Sequence, residues 1–205
     1  MPENVNLVCV SKFHPNESIL EAYQTGERVF GESKVQELCT KYETLPKDIQ
    51  WHFIGHLQSN KVKYIVGFVD LIHGVDSLKL LSEIDKQAAK SDRTVNCLLQ
   101  VHIAAEETKF GFSPDEIKIA LKEALAYKNV KIKGLMGMAT FTVNAEQVKS
   151  EFRLLKSIFD ELKPHAGSEF SILSMGMSDD FRLAIEEGSN MVRIGSSIFG
   201  NRNYV

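Results

Sequence analysis

The chain has little of what a membrane, nucleic-acid or metal protein needs. No apolar stretch in its 205 residues is long enough to span a bilayer, and Met1-Pro2-Glu3-Asn4 has neither the basic nor the apolar region of a secretory leader. It has no basic block: 24 Lys and Arg against 27 Asp and Glu leave a formal charge of −3, so a polyanionic partner is not indicated. The three cysteines, Cys9, Cys39 and Cys97, are odd in number and lack CxxC spacing, which argues against a disulfide framework and a thiolate zinc site. They read as reduced core thiols. No linker, low-complexity stretch or internal repeat divides the chain, and no G-x-G-x-x-G follows the first strand. The expectation is a soluble, cytoplasmic protein of one domain, residues 1–205, whose 43% hydrophobic content fills one large core.

What is present is an alternation of strand and helix signals. The apolar run Val5 to Lys12 predicts strand one, and Asn16 caps a helix to about Gln24 that Gly26 stops. Arg28 to Gly31 follows as strand two. Ser33, with Gln36 three residues on, suggests a capping box for a helix ending before Pro46. Trp51 to Gly55 is strand three, Ser59 to Val66 a helix, and Leu71 to Val75 strand four; Asp76 or Ser77 then caps a helix to about Lys90. Val95 to Val101 is strand five and Ala104 to Phe112 a polar loop. Ser113-Pro114-Asp115-Glu116 is a helix start, with proline and acids at the positive end of the dipole. Strand six spans Ile132 to Met138. The helix from Ala145 to about Leu162 has an apolar stripe of Val148, Phe152, Leu155 and Phe159. Phe170 to Ser174 is strand seven, Asp179 to Glu187 a helix, and Met191 to Gly195 strand eight. About eight such units predict a (β/α)₈ barrel, with a doubly wound open sheet as the alternative.

Three features then point to chemistry. Lys12 ends a buried strand, either snorkelling to solvent or presenting a desolvated amine able to form a Schiff base with a carbonyl. The turns Ser174-Met175-Gly176-Met177-Ser178 and Gly195-Ser196-Ser197 follow strands seven and eight, where barrels cradle phosphate; singly, each is also an ordinary helix cap. Alternation along strand eight turns Val192 and Ile194 to the outer helices and Arg193 into the barrel, where it meets either an inward acid or a ligand. The same parity groups Lys12 with Val8 and Val10. A carbonyl-reactive amine, a phosphate cradle and an inward arginine together describe a site for pyridoxal 5′-phosphate, which has an aldehyde, a phosphate and a ring nitrogen.

Val10-Ser11-Lys12, Phe30-Gly31-Glu32 with Val35-Gln36-Glu37, Trp51 to Lys61, Lys109 to Phe112, Gly134-Leu135-Met136, Leu173 to Asp180 and Val192 to Gly195 with Ile198-Phe199-Gly200 resemble, in order, the pyridoxal phosphate homeostasis protein family. The resemblance implies a fold type III barrel like the alanine racemase N-terminal domain, without a second domain, holding pyridoxal 5′-phosphate as a carrier or buffer in vitamin B6 and amino-acid balance. It implies Lys12 as the Schiff-base lysine, Ser174, Met175, Gly195 and Ser196 as phosphate contacts, and Arg193 as the partner of the ring nitrogen. It also implies a monomer. Ser33 stands where members usually have asparagine, which predicts a shorter or water-mediated contact there.

A racemase-like enzyme on the same site and a lysine aldolase acting on a sugar phosphate are the rival readings. Against the first, Tyr23, Tyr42, Tyr64, Tyr127 and Tyr204 fall in outer helices or the tail, so no second acid/base group is expected opposite Lys12. At most a feeble racemase is expected. His52 and His56 share parity and read as hydrogen-bonded barrel residues rather than a metal site. Gln58, Asn60 and Lys61 either line the mouth or cap a helix, Met136, Met138, Met175 and Met177 read as core filler, and Glu106, Glu107 and Lys109 as a solvated loop.

Overall fold

A computed structural model describes residues 1–106 and 110–200; Glu107, Lys109 and Tyr204 lie outside them. Eight parallel strands close into a barrel in sequence order, and strand one pairs with strand eight. The order is β1 (Asn6–Val10), α1 (Asn16–Gln24), β2 (Val29–Glu32), α2 (Val35–Thr44), β3 (Gln50–Phe53), a 3₁₀ helix (Ser59–Tyr64), β4 (Leu71–Val75), α3 (Leu78–Lys90), β5 (Val95–Gln100), α4 (Ile117–Ala124), β6 (Val130–Met136), α5 (Ala145–Ala166), β7 (Ile172–Met177), α6 (Phe181–Glu186), β8 (Met191–Ile194) and α7 (Ser196–Phe199). Among the described residues no helix is long and apolar enough to cross a membrane.

Strand alternation divides the chain into two cores. Val8, Leu71, Leu98, Met136 and Met191 fill the barrel, while Phe30, Trp51, Phe53 and the Val148, Phe152, Leu155, Phe159 stripe of α5 fill the layer between barrel and helices. Each fully buried side chain of this size contributes about 1.5–3 kcal/mol. Val192 and Ile194 pack on Phe181 and Ile185 of α6, so Arg193 points into the barrel as the alternation predicts.

Several boundaries differ from the sequence expectation. Asn16 and Ser33 do not cap: Pro15 and Lys34 take the cap positions without a side-chain bond, and the Asn16 amide donates to Thr44 instead. Ser59–Tyr64 winds as a 3₁₀ helix. Helix α5 runs on through Pro164 to Ala166, before Gly167 at φ +86°. The most consequential shift is in β7, which runs to Met177 rather than stopping at Ser174. Ser77 caps α3, accepting from the Leu80 N–H, and Ser113 and Glu116 exchange bonds of 2.9 and 3.2 Å as a capping box ahead of α4.

Candidate functional site

Lys12 lies two residues beyond β1, half-buried in a turn at the C-terminal mouth of the barrel. Both neighbours are fixed from α2 and β2. The Ser11 hydroxyl donates to Glu32 Oε1 at 2.7 Å, and Lys41 Nζ donates to the Ser11 carbonyl (2.8 Å), Glu32 Oε1 (2.7 Å) and Glu37 Oε1 (2.7 Å). Glu37 Oε1 also accepts the Phe13 N–H at 2.7 Å. Phe13 has φ +68°, a left-handed conformation costing a residue with a Cβ about 1–2 kcal/mol. Glu37 and Lys41 offset that cost by holding the turn. Burial pushes the Glu32 carboxyl above its usual range, and the Lys41 ammonium is the leading opposing influence. The sequence carried a sign of this device in the i,i+4 pair Glu37 and Lys41, but none that Glu32 and Lys41 would be buried together.

Above the apolar barrel filling sits a polar layer. Arg193 Nη1 donates to the carbonyl (3.0 Å) and hydroxyl (2.6 Å) of Ser174, and Nη2 donates to the Gly137 carbonyl (3.1 Å), so the guanidinium leans across β7 to the end of β6. The Ser174 hydroxyl also meets His73 Nδ1 at 3.1 Å, and His73 Nε2 meets His52 Nδ1 at 3.0 Å. Burial lowers the Arg193 pKa to about 10, with Asp180 opposing, which leaves the group charged at neutral pH. Burial takes His52 down to about 4. His73 lies well below its ordinary value, first through burial and then through His52 and Arg193. Both imidazoles are therefore neutral near pH 7.

The longer β7 moves two residues expected in a turn. Ser174 and Met175 lie within the strand: the Ser174 hydroxyl is engaged by Arg193 and His73 inside the barrel, and the Met175 side chain packs in the outer core. The turn begins at Ser178, whose hydroxyl accepts the Gly195 N–H at 3.2 Å and ties the two turns together. Gly195 sits so close to β1 that a Cβ there would stand 3.1 Å from the Val10 carbonyl oxygen. Ser196 and Ser197, both exposed, open α7, and among the described residues their N–H groups have no backbone acceptor. Hydroxyls and N–H groups at this point can accept an anion.

His52 and His56 part company: His56 is exposed, bonded to Asp76 at 2.9 Å and stacked on Phe110, while His52 pairs with His73, whose role only the closed barrel discloses. Gln58 and Lys61 line a cavity of about 240 Å³ with Ser33, Lys34 and His56. Met177 is not core filler; with Thr140, Phe141 and Asp180 it lines a cavity of about 990 Å³ on the opposite rim. Met136 and Met175 are buried. The mouth thus collects an amine, an arginine with donors to spare and an anion-accepting turn.

The family model of the alanine racemase N-terminal domain matches residues 1–203. A pyridoxal phosphate homeostasis protein of Aquifex aeolicus is 45% identical over 199 residues, covering 97% of this chain and 87% of its own. Its namesake from Schizosaccharomyces pombe is 40% identical over 202 residues, covering 97% and 85%. PipY of Synechococcus elongatus, solved without PLP, superposes with a TM-score of 0.93 at 37% identity over 98% of this chain and 94% of PipY. With PLP bound, PipY superposes at 0.88 and 36% identity over the same shares. An alanine racemase of Clostridium difficile, 14% identical with a TM-score of 0.77 over 100% of this chain and 53% of its own, shares the fold alone.

Proposed function

The chain belongs to the pyridoxal phosphate homeostasis protein family, and on that premise we propose that it binds pyridoxal 5′-phosphate at the barrel mouth. It acts there as a carrier or buffer of this reactive aldehyde in vitamin B6 and amino-acid balance. The observation that carries the reading is the meeting, at one end of the barrel, of half-buried Lys12, the turn Gly195 to Ser197 and inward Arg193.

The donor set fits the cofactor. Lys12 supplies the amine that condenses with the aldehyde, its turn held by Glu37 and Lys41. Gly195 lets the turn pack against Val10 of β1, and the Ser196 hydroxyl with the N–H groups of Ser196 and Ser197 holds the phosphate. Arg193 uses three of its N–H groups on Ser174 and Gly137, and the remaining two have no partner among the described residues. One of them would donate to the ring nitrogen. Ser174 serves this set through Arg193, and Met175 through the backbone of β7. When bound, the cofactor supplies an aldehyde and an electron-withdrawing ring.

The same residues favour carriage over catalysis. Arg193 has donors and no acceptor, so it leaves the ring nitrogen without a proton and weakens the electron withdrawal that proton removal from an amino acid requires. Tyr23 is bonded to Asp48 and Tyr42 stacks on Phe68, both in the helical layer, so neither is a second base across from Lys12. The protein is proposed to work as a cytoplasmic monomer, and elution as a dimer in gel filtration would remove that part.

The test is borohydride reduction of protein saturated with pyridoxal 5′-phosphate, followed by peptide mapping. Label on Lys12 and a yellow absorbance, both lost in a still-folded Lys12→Ala variant, are expected. Label on another lysine refutes the lysine assignment. Formation of D-alanine from L-alanine at a kcat on the order of 1 s⁻¹ replaces carriage with racemisation.

A further inference from the structure

We propose that Ser174, His73 and His52 form a one-way hydrogen-bond relay that positions Arg193, so that these three are positioning residues of the cofactor site. The proposal rests on the reading above only for what Arg193 faces; the relay itself is made by side chains of the barrel alone.

Its direction follows from donor chemistry. A guanidinium has N–H donors and no acceptor, so in the 2.6 Å contact Arg193 gives the hydrogen and the Ser174 oxygen takes it. A hydroxyl oxygen can take two hydrogens, but if it took one from His73 as well, its own buried hydrogen would have no acceptor; given to His73 Nδ1 at 3.1 Å, that hydrogen is satisfied. His73 therefore carries its proton on Nε2 and donates it to His52 Nδ1 at 3.0 Å, which puts the His52 proton on Nε2 as well. Every link then runs from Arg193 towards His52. Ser174 and His73 are 0% exposed and His52 6%, so no water stands ready to replace a missing partner.

The relay reaches Arg193 by fixing the hydroxyl rotor. With its hydrogen held by His73, the Ser174 oxygen has to turn a lone pair to Arg193 Nη1. The Ser174 carbonyl takes the second hydrogen of that nitrogen, and the Gly137 carbonyl holds Nη2. Asp180, in the turn after β7, is the acid whose charge acts on Arg193; the guanidinium's hydrogen bonds to Ser174 and Gly137 go instead to neutral oxygens. Neutral partners hold the orientation of the arginine without cancelling its charge. Three strands, β3, β4 and β7, thereby set the angle of one residue on β8.

The experiment has two readouts. Imidazole nitrogen NMR on cofactor-free protein at neutral pH should show His73 and His52 both protonated at Nε2 and bare at Nδ1. Ser174→Ala should disturb the His73 tautomer and weaken pyridoxal 5′-phosphate binding about tenfold, and Ser174→Thr, which keeps the hydroxyl, should restore both. If Ser174→Ala does not fold, His52→Phe, which removes the last acceptor, should disturb His73 in the same way. A proton on Nδ1 of His73 in the unaltered protein overturns the relay, as does Ser174→Ala with tautomer and affinity unchanged. The predicted tautomers in a protein that shows no cofactor absorbance support the relay and sink the cofactor reading instead.

Discussion

Replacing Lys41 by methionine should destabilise the protein by about 3–5 kcal/mol at pH 8 and by clearly less at pH 5. The size follows from burial: Lys41 is 5% and Glu32 0% exposed, and their contact is 2.7 Å. On a surface such a pair contributes about 0–1 kcal/mol, but here removing the cation leaves a carboxylate cut off from water. Methionine has nearly the length of the lysine stem, so little of the loss comes from a cavity. The pH dependence follows from Glu32, whose pKa burial already raises while Lys41 holds it down. Without Lys41 the carboxyl rises further. A carboxyl raised in the folded state contributes stability that is present below its ordinary value of 4.5 and is lost as pH rises through the folded value. The deficit is therefore smallest in acid. Urea unfolding at both pH values, with Glu32→Gln and the double variant, makes the measurement, and the double variant should recover most of the loss. At about 2–4 °C per kcal/mol for a chain of this size, the melting temperature should fall by roughly 6–20 °C. A deficit under about 1 kcal/mol, or one independent of pH, would show that the pair is solvated and that the support of the Lys12 turn is misassigned.

Ser196→Ala should weaken pyridoxal 5′-phosphate binding by about 1–3 kcal/mol, because one charge-assisted bond goes while the backbone donors remain; unchanged affinity in a spectroscopic titration moves the phosphate elsewhere. Stability should also fall as pH drops from the ordinary histidine value of 6.5 towards 4, since His52, held down at about 4 in the folded protein, takes up its proton only on unfolding. That histidine accounts for about 1.4 kcal/mol per pH unit, roughly 3 kcal/mol over the window, opposed by the raised carboxyls of Glu32 and Asp180. His52→Gln should reduce the slope and leave the part due to His73, which burial also holds down, and an equal slope in that variant counts against a neutral buried imidazole at position 52.

The barrel was legible because its signals repeat. Period-two apolar runs and caps recur along the chain, and the parity argument for Val192, Arg193 and Ile194 needs only the identity of three neighbours. The strand β4 and the helix α3 after it fall where composition puts them, since Ser77 is a good cap and the helix behind it is amphipathic. Asn16 and Ser33 were misleading for a local reason. Each has cap chemistry, but the neighbouring turns hold the chain one residue away from the geometry a cap needs. The buried Glu32–Lys41 pair could not be read, because a Lys and a Glu with ordinary spacing look the same on a solvated face as beneath a turn.

Ser174 shows where a reading of types and positions stops. A hydroxyl at the end of strand seven has the chemistry of a phosphate donor, and nothing in Leu173 to Ser178 distinguishes a serine in a turn from one still in the strand. What decides it lies elsewhere: Asn190 Oδ1 accepts the Leu173 N–H, the Ser189 hydroxyl donates to the Met175 carbonyl, and the Asp180 carboxylate takes the Met177 N–H, so β7 is carried on to Met177 from positions up to 17 residues away. Three more residues of strand turn the same hydroxyl from the mouth to the barrel interior, where His73 and Arg193 meet it. The sequence can state that serine, histidine and arginine are available; only closure of the barrel, which brings His73 within 3.1 Å of a residue 101 positions away, makes one arrangement of their protons the consistent one.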